Sequence, residues 1–313
     1  MLPAPSINAW DVKRIEDAFS DYLPLSAGIE PHLRDTLKHV LRNPGNLVRP
    51  QIVFQMAMAY GMPDVHAIEL AIALEYFHTA SLLFDDLPCM DHAIERRGTR
   101  CAHLAYGEAG AILAALALIN RAYALTWQAS SDCTQDRQSS GLAYAEKHLG
   151  VDGLLNGQSL DLQYSKLPHD RQTTERIAVG KTVSLIRLAF VLPALLGGAS
   201  ASELRLLDRI AMYWGLSYQI LDDLKDVLQG VAETGKTGSR DISLDRPNIA
   251  IAIGVPNSVA RLTRLIHLGD RSLRRLLKLA PSVFFLGKLR SDLQEEADRI
   301  TERSFEMVIR AQA

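Results

Sequence analysis

Two acidic clusters carry the chemistry. The first is Asp85-Asp86-Leu87-Pro88-Cys89-Met90-Asp91, followed by Arg96-Arg97-Gly98; the second is Gln219-Ile220-Leu221-Asp222-Asp223-Leu224-Lys225-Asp226. Carboxylates this close repel one another unless a cation bridges them. Magnesium, a hard cation, takes oxygen ligands and keeps several waters while joining one or two carboxylates to substrate phosphates. Each cluster ends an apolar stretch of helical period, so Asp85, Asp86, Asp91, Asp222, Asp223 and Asp226 can stand at the mouth of an apolar cavity. A ligand anionic at one end and greasy along the rest would suit that place, which specifies an enzyme acting on a long apolar diphosphate.

Spacing says how the clusters work. Asp222 and Asp226 are four apart and share a helix face, with Gln219 one turn earlier. Asp85 and Asp91 are six apart and would diverge by about 120° on an ideal helix. Pro88 resolves this, because it cannot extend the hydrogen-bond ladder; the helix should stop just after Asp86 and the loop return Asp91 to the side of Asp85. Arg96 and Arg97 follow that loop, suited to bidentate contact with phosphate oxygens.

The elements that must position these residues read as helices. Apolar residues recur at three and four, and strand-like alternation is almost absent, so the fold class is all-α. The pattern predicts helices over 9–22, 31–42, 50–60, 65–87, 107–130, 134–149, 152–164, 173–196 and 201–228, with two or more from 255 onward. Ser200-Ala201-Ser202-Glu203 has the form of a capping box and opens the helix that delivers the second cluster. The stretch 229–247, rich in glycine and charge and holding Lys236, Arg240, Asp241 and Arg246, is placed to close over a diphosphate and exclude water.

Composition excludes other classes. A net charge of -2 leaves no footprint for nucleic acid, and 48% hydrophobic residues over 313 positions can bury a large core. Cys89, Cys101 and Cys133 match neither a disulfide framework nor a zinc spacing, which suits a reducing cytoplasm. No signal peptide is indicated, and the greasiest runs, 111–119 and 188–196, are too short to span a bilayer, so an integral membrane protein is not expected.

The series Gly45-Asn46-Leu47-Val48-Arg49-Pro50, Asp85 to Gly98, His103, Tyr106-Gly107-Glu108, Gly157-Gln158, Lys181-Thr182, Tyr218 to Asp226 and Gly235-Lys236 resembles the trans-type (head-to-tail) isoprenyl diphosphate synthases. These make farnesyl and geranylgeranyl diphosphate, and the Asp-Asp-Leu-Pro-Cys-Met-Asp form is similar to their bacterial and plastid type. The resemblance implies one isoprenoid synthase type I domain over 1–313, a helical bundle around a deep apolar cavity, and a homodimer. It further implies that Asp85, Asp91 and Asp222, assisted by Asp86, Asp223 and Asp226, hold magnesium on an allylic diphosphate. Arg96, Lys181, Gln219 and Lys236 would bind the same group, with Arg246 on that side. Arg49, Arg97 and His103 would bind the diphosphate of isopentenyl diphosphate, and Thr182 would help stabilise the allylic cation.

Departures from the family pattern bear on the activity. Asn46 stands where a lysine is usual in the isopentenyl diphosphate site; losing that charge-assisted contact costs roughly 1.5–3 kcal/mol, about tenfold or more in affinity. Arg246 replaces a lysine and keeps the charge, while Ala93 and Ile94 replace residues that are often acidic. A weakened second site leaves open a terpene synthase of the same fold, which ionises an allylic diphosphate without isopentenyl diphosphate. A non-catalytic partner subunit is disfavoured by the intact aspartates. Ala80 and Ser81, five and four positions before Asp85, are small where shorter-product enzymes often carry an aromatic. Their smallness predicts a twenty-carbon product rather than fifteen, with Phe77 a candidate stop.

Overall fold

The computed structural model describes residues 9–41, 44–234 and 246–312. Helices dominate it: α1 (Ala9–Asp21), α2 (Pro31–Val40), α3 (Val48–Ala59), α4 (Asp64–Asp85), α5 (Ala102–Ala129), α6 (Gln135–Leu149), α7 (Leu154–Leu162), α8 (Arg171–Ala178), α9 (Ser184–Leu196), α10 (Ala201–Thr234), α11 (Ile249–Ile253), α12 (Val255–Leu279) and α13 (Leu286–Gln312). Strands β1 (Glu95–Arg96) and β2 (Thr99–Arg100) form an antiparallel ribbon. The chain divides into two compact units, Ser6–Leu142 with Pro193–Gly198, and Ala143–Leu192 with the chain from Ala199 onward.

In the first unit α4 packs on α3 and α5. It is apolar nearly all round, and residues such as Leu70, Ile72 and Tyr76 are fully buried. The Tyr76 hydroxyl donates to the Phe19 carbonyl at 2.7 Å, satisfying its one polar group. Helix α5 begins five residues before the expected Gly107, because that glycine (φ 78°, ψ 158°) kinks a longer element.

In the second unit α10 packs on α12, and Gly269 lets the two approach: a Cβ there would collide with the Trp214 indole nitrogen. The expected capping box is present, with Ser200 N–H donating to Glu203 Oε2 at 2.8 Å and Glu203 N–H to Ser200 Oγ at 3.3 Å. One long helix is expected over 173–196; between α8 and α9, Val179–Val183 instead adopts π-helical geometry. Such bulges frequently mark functional positions, and this one contains Lys181 and Thr182.

Three helices, Asp64–Asp85, Ala102–Ala129 and Arg171–Leu196, are long and apolar enough to cross a membrane by length and composition; the runs 111–119 and 188–196 lie within the second and third. Most of the window is buried for the first and third (72% and 67%), but only 39% for α5.

Candidate active site

In the first unit, α4 ends at Asp85 and Asp86 is its C-cap, as the position of Pro88 predicts. The loop folds back so that Asp91 N–H donates to the Asp85 carbonyl at 2.9 Å and Ala93 N–H to the Asp86 carbonyl at 3.2 Å. Asp85 and Asp91 are thereby juxtaposed and partly exposed. Asp86 differs: it is buried, and its Oδ1 accepts from Arg96 Nε at 2.7 Å and Nη2 at 2.6 Å. Burial favours the neutral guanidine of Arg96, but the Asp86 contact and the Asp85 charge outweigh it and raise the pKa.

The ribbon that carries Arg96 turns through Arg97 (φ 54°) and Gly98 (φ 74°), both left-handed as a two-residue hairpin of this twist requires. Arg97 is exposed at the tip; its Nη1 donates to the Pro44 carbonyl at 2.5 Å. The Arg97 guanidinium lies over Gly45, where a Cβ would come 2.6 Å from Arg97 Cζ, and the Gly45 backbone (φ 76°) is in the left-handed region that favours glycine. Asn46, adjacent, is exposed, and its carbonyl accepts from Gln51 Nε2 at 3.0 Å.

At the second residue of α3, Arg49 Nη1 lies 3.0 Å from His78 Nε2. Burial, then Arg49, Arg97 and Arg96, hold His78 well below the usual histidine range. It is therefore neutral near pH 7 and can accept from Arg49. Buried Glu75, one turn earlier, has its pKa pushed up to about 7 by desolvation, partly opposed by Arg49 and Arg97. His103, at the start of α5, is buried, and neither ring nitrogen has a partner among the described residues. A buried imidazole left so is suited to a ligand. On the apolar side, Ala80 is fully buried and Ser81 Oγ donates to the His78 carbonyl at 2.8 Å. Phe77 packs edge-on against Tyr123 of α5, with ring centroids 4.9 Å apart.

The second unit holds the other residues. Thr182 Oγ1 donates to Gln219 Oε1 at 2.7 Å, and Gln219 Nε2 donates to Asp223 Oδ1 at 2.8 Å. Asp223 Oδ2 accepts from Ile249 N–H at 2.7 Å. Both Asp223 oxygens are thus engaged by the protein, and the residue is buried. Asp222 is exposed, and one buried oxygen of Asp226, Oδ2, has no partner among the described residues. Lys181 Nζ and Arg246 Nη1 converge on Asp161 Oδ2 at 3.1 and 3.3 Å. Gly157 and Gly180 bring α7 against the π segment: a Cβ on Gly180 would lie 2.6 Å from Gly157 Cα. Lys236, Arg240 and Asp241 lie outside the described residues.

These oxygens suit magnesium. Asp222 and Asp226 stand one turn apart, and the unpartnered Asp226 Oδ2 is a buried hard donor. Among the described residues no group of three or more His, Cys, Asp or Glu side chains is set to hold a metal. The protein donors fit an ion that draws its remaining ligands from water and phosphate.

Residues 30–273 match the family model described as Polyprenyl synthetase. The chain belongs to this family. Among its relatives, the chloroplastic geranylgeranyl pyrophosphate synthase of Capsicum annuum is 34% identical over 228 residues, covering 72% of this chain and 62% of its own length. The chain therefore spans less than two thirds of that relative. A solved FPP/GFPP synthase from Zymomonas mobilis has a TM-score of 0.75 at 23% identity, covering 91% of this chain and 95% of that one. A Helicobacter pylori geranyltransferase, solved with magnesium and isoprenyl diphosphate, has a TM-score of 0.74 at 23% identity, covering 96% and 99%. These solved structures share the all-α fold expected from the sequence.

For this polyprenyl synthetase-family chain, sequence reasoning did not single out His78, Glu75 or Asp161. A signal for Asp161 was available: it lies three residues after Gln158, one helical turn on.

Proposed function

We propose that this chain is a head-to-tail prenyltransferase, joining an allylic diphosphate to isopentenyl diphosphate and giving geranylgeranyl (C20) or farnesyl (C15) diphosphate. The observation that carries the reading is the set formed by Arg49, His78 and Arg97, with Arg97 laid over Gly45. Arg49 and Arg97 beside a neutral histidine make a cationic centre suited to a second diphosphate. The name of the Capsicum annuum relative agrees with a C20 product.

Asp85 and Asp91 in the first unit, and Asp222 and Asp226 in the second, would hold magnesium, which when bound supplies positive charge to offset that on the departing pyrophosphate. Lys181 and Arg246, oriented by Asp161, would turn to the allylic diphosphate oxygens. Arg96, braced by Asp86, and Lys236 would serve the same group. Gln219 is held in one rotamer from both ends. Because the Thr182 hydroxyl donates its hydrogen bond to Gln219 Oε1, its lone pairs remain available to an allylic cation. The isopentenyl double bond attacks that cation, and the released pyrophosphate takes the proton; no protein base is assigned. Arg49, His78, His103, Arg97 and Asn46 would hold the isopentenyl diphosphate.

A cytoplasmic homodimer is part of the proposal. Ile112, Leu113, Leu116, Tyr123 and Trp127 are exposed on one face of α5, an apolar stripe that a second copy would cover.

Pyrophosphate release tests the reaction class. With magnesium and geranyl diphosphate, release should require isopentenyl diphosphate and cease on chelation. Equal release without isopentenyl diphosphate would assign the chain to the lyases.

A further inference from the structure

Helix α12 carries more positive charge than its packing uses. Its acid, Asp270, is taken by Arg290 of α13, with Nε to Oδ1 at 2.9 Å and Nη2 to Oδ2 at 2.7 Å. Its first arginine, Arg261, is paired with Glu175 of α8 through both Nε and Nη2, at 2.7 and 2.9 Å. The remaining cations are different. At about 100° per residue, Arg264, Arg271, Arg274, Arg275 and Lys278, with His267 among them, fall within a stripe about 100° wide. All six are exposed. Among the described residues no carboxylate pairs with these five cations; Arg274 Nε reaches only the Asp270 carbonyl, at 3.4 Å.

Such a stripe has a cost in the isolated protein. Arg271 with Arg275, and Arg274 with Lys278, are like charges at i and i+4, each pair destabilising a helix by about 0.2–0.5 kcal/mol. The stripe also ends beside greasy side chains that the fold leaves in water. Leu279 is 53% exposed, and Phe284, just beyond the 3₁₀ turn Pro281–Val283, is 75% exposed while its neighbour Phe285 is buried.

We infer that the exposed face of α12, with Leu279 and Phe284, is a docking surface for an anionic lipid bilayer. Cations in a row on a convex helix meet a planar array of lipid phosphates, and the two apolar side chains can enter the headgroup region beside them. A nucleic acid fits less well, because Leu279 and Phe284 beside the cations would find no apolar phase in it. The association is peripheral, since the apolar face of α12 is spent on packing within its own unit. It goes beyond the prenyltransferase reading, and its test does not depend on that reading.

The test is co-sedimentation of the full chain with vesicles of phosphatidylcholine alone and of phosphatidylcholine mixed with phosphatidylglycerol, at low and physiological salt. The expected result is binding to the anionic vesicles alone, weakened by salt. Combining Arg264→Gln, Arg271→Gln, Arg274→Gln and Arg275→Gln should reduce the partition coefficient at least a hundredfold, each cation near such a surface being worth about fivefold. Phe284→Ser should weaken binding without altering its salt dependence. Circular dichroism of both variants should match the parent, and turnover in vesicle-free buffer should be unchanged. Absence of binding to anionic vesicles, equal binding to both compositions, or full binding by the quadruple variant would overturn the assignment. Tighter binding to a single-stranded oligonucleotide than to vesicles would also overturn it, in favour of a polyanion site.

Discussion

Gln219 Nε2 donates to Asp223 Oδ1 at 2.8 Å, and this contact divides the second aspartate cluster into two kinds of acid. Asp223 spends its other oxygen on Ile249 N–H, so it fixes Gln219 and the start of α11. Asp222 is exposed, and Asp226 Oδ2 has no partner among the described residues. Asp223→Ala should therefore lower stability, by about 1–3 kcal/mol for a stranded buried donor. Asp222→Ala should leave stability within about 0.5 kcal/mol and reduce kcat by about a hundredfold or more. Thermal unfolding and steady-state rates on the two variants separate these roles.

Asn46 sits next to Gly45, the residue that carries the Arg97 guanidinium. Asn46→Lys should add a cation to the proposed isopentenyl diphosphate site and lower KM for that substrate about tenfold, with little change for the allylic substrate. Titrating each substrate at saturating concentrations of the other measures this.

The Phe77 and Tyr123 rings brace one another edge-on, and Ala80 and Ser81, one turn on along α4, carry the small side chains past which the proposed tail would run. Ala80→Phe or Ala80→Tyr should shorten the product, and Phe77→Ala should lengthen it. Chromatography of the dephosphorylated products reads both, and an unchanged distribution in all three variants would count against this placement of the tail.

Glu75 makes stability depend on pH. Its folded pKa of about 7 lies above the ordinary 4.5, so the folded state favours the protonated acid. The contribution is fully present below about pH 4.5 and is lost as pH rises through about 7. Glu75→Gln should match the parent in Tm at about pH 4.5, and the gap should widen in favour of the variant up to about pH 8.

Much of this arrangement was legible in the residues. Pro88 forced the end of α4 and the return of Asp91, and Ser200 with Glu203 marked the start of α10, because both are local constraints with a fixed sequence offset. The Arg96–Asp86, Arg49–His78 and Lys181–Asp161 contacts were not legible. A polar contact made across a fold leaves no period to read, and arginines expected on phosphate turned out to have protein partners as well. The ribbon at 95–100 is too short for alternation to show, although Arg97-Gly98 is its turn. The π segment at 179–183 differs from the helices on either side by Gly180, but a single glycine does not by itself announce a change of helical pitch.

The central claim is that two diphosphates are held and joined head to tail. The most direct measurement is product analysis with magnesium and dimethylallyl, geranyl or farnesyl diphosphate, each with and without isopentenyl diphosphate. Prenyl diphosphates of up to twenty carbons, formed only when isopentenyl diphosphate is present, are the predicted result. A hydrocarbon or terpene alcohol from one allylic substrate alone, with no elongation, would contradict it.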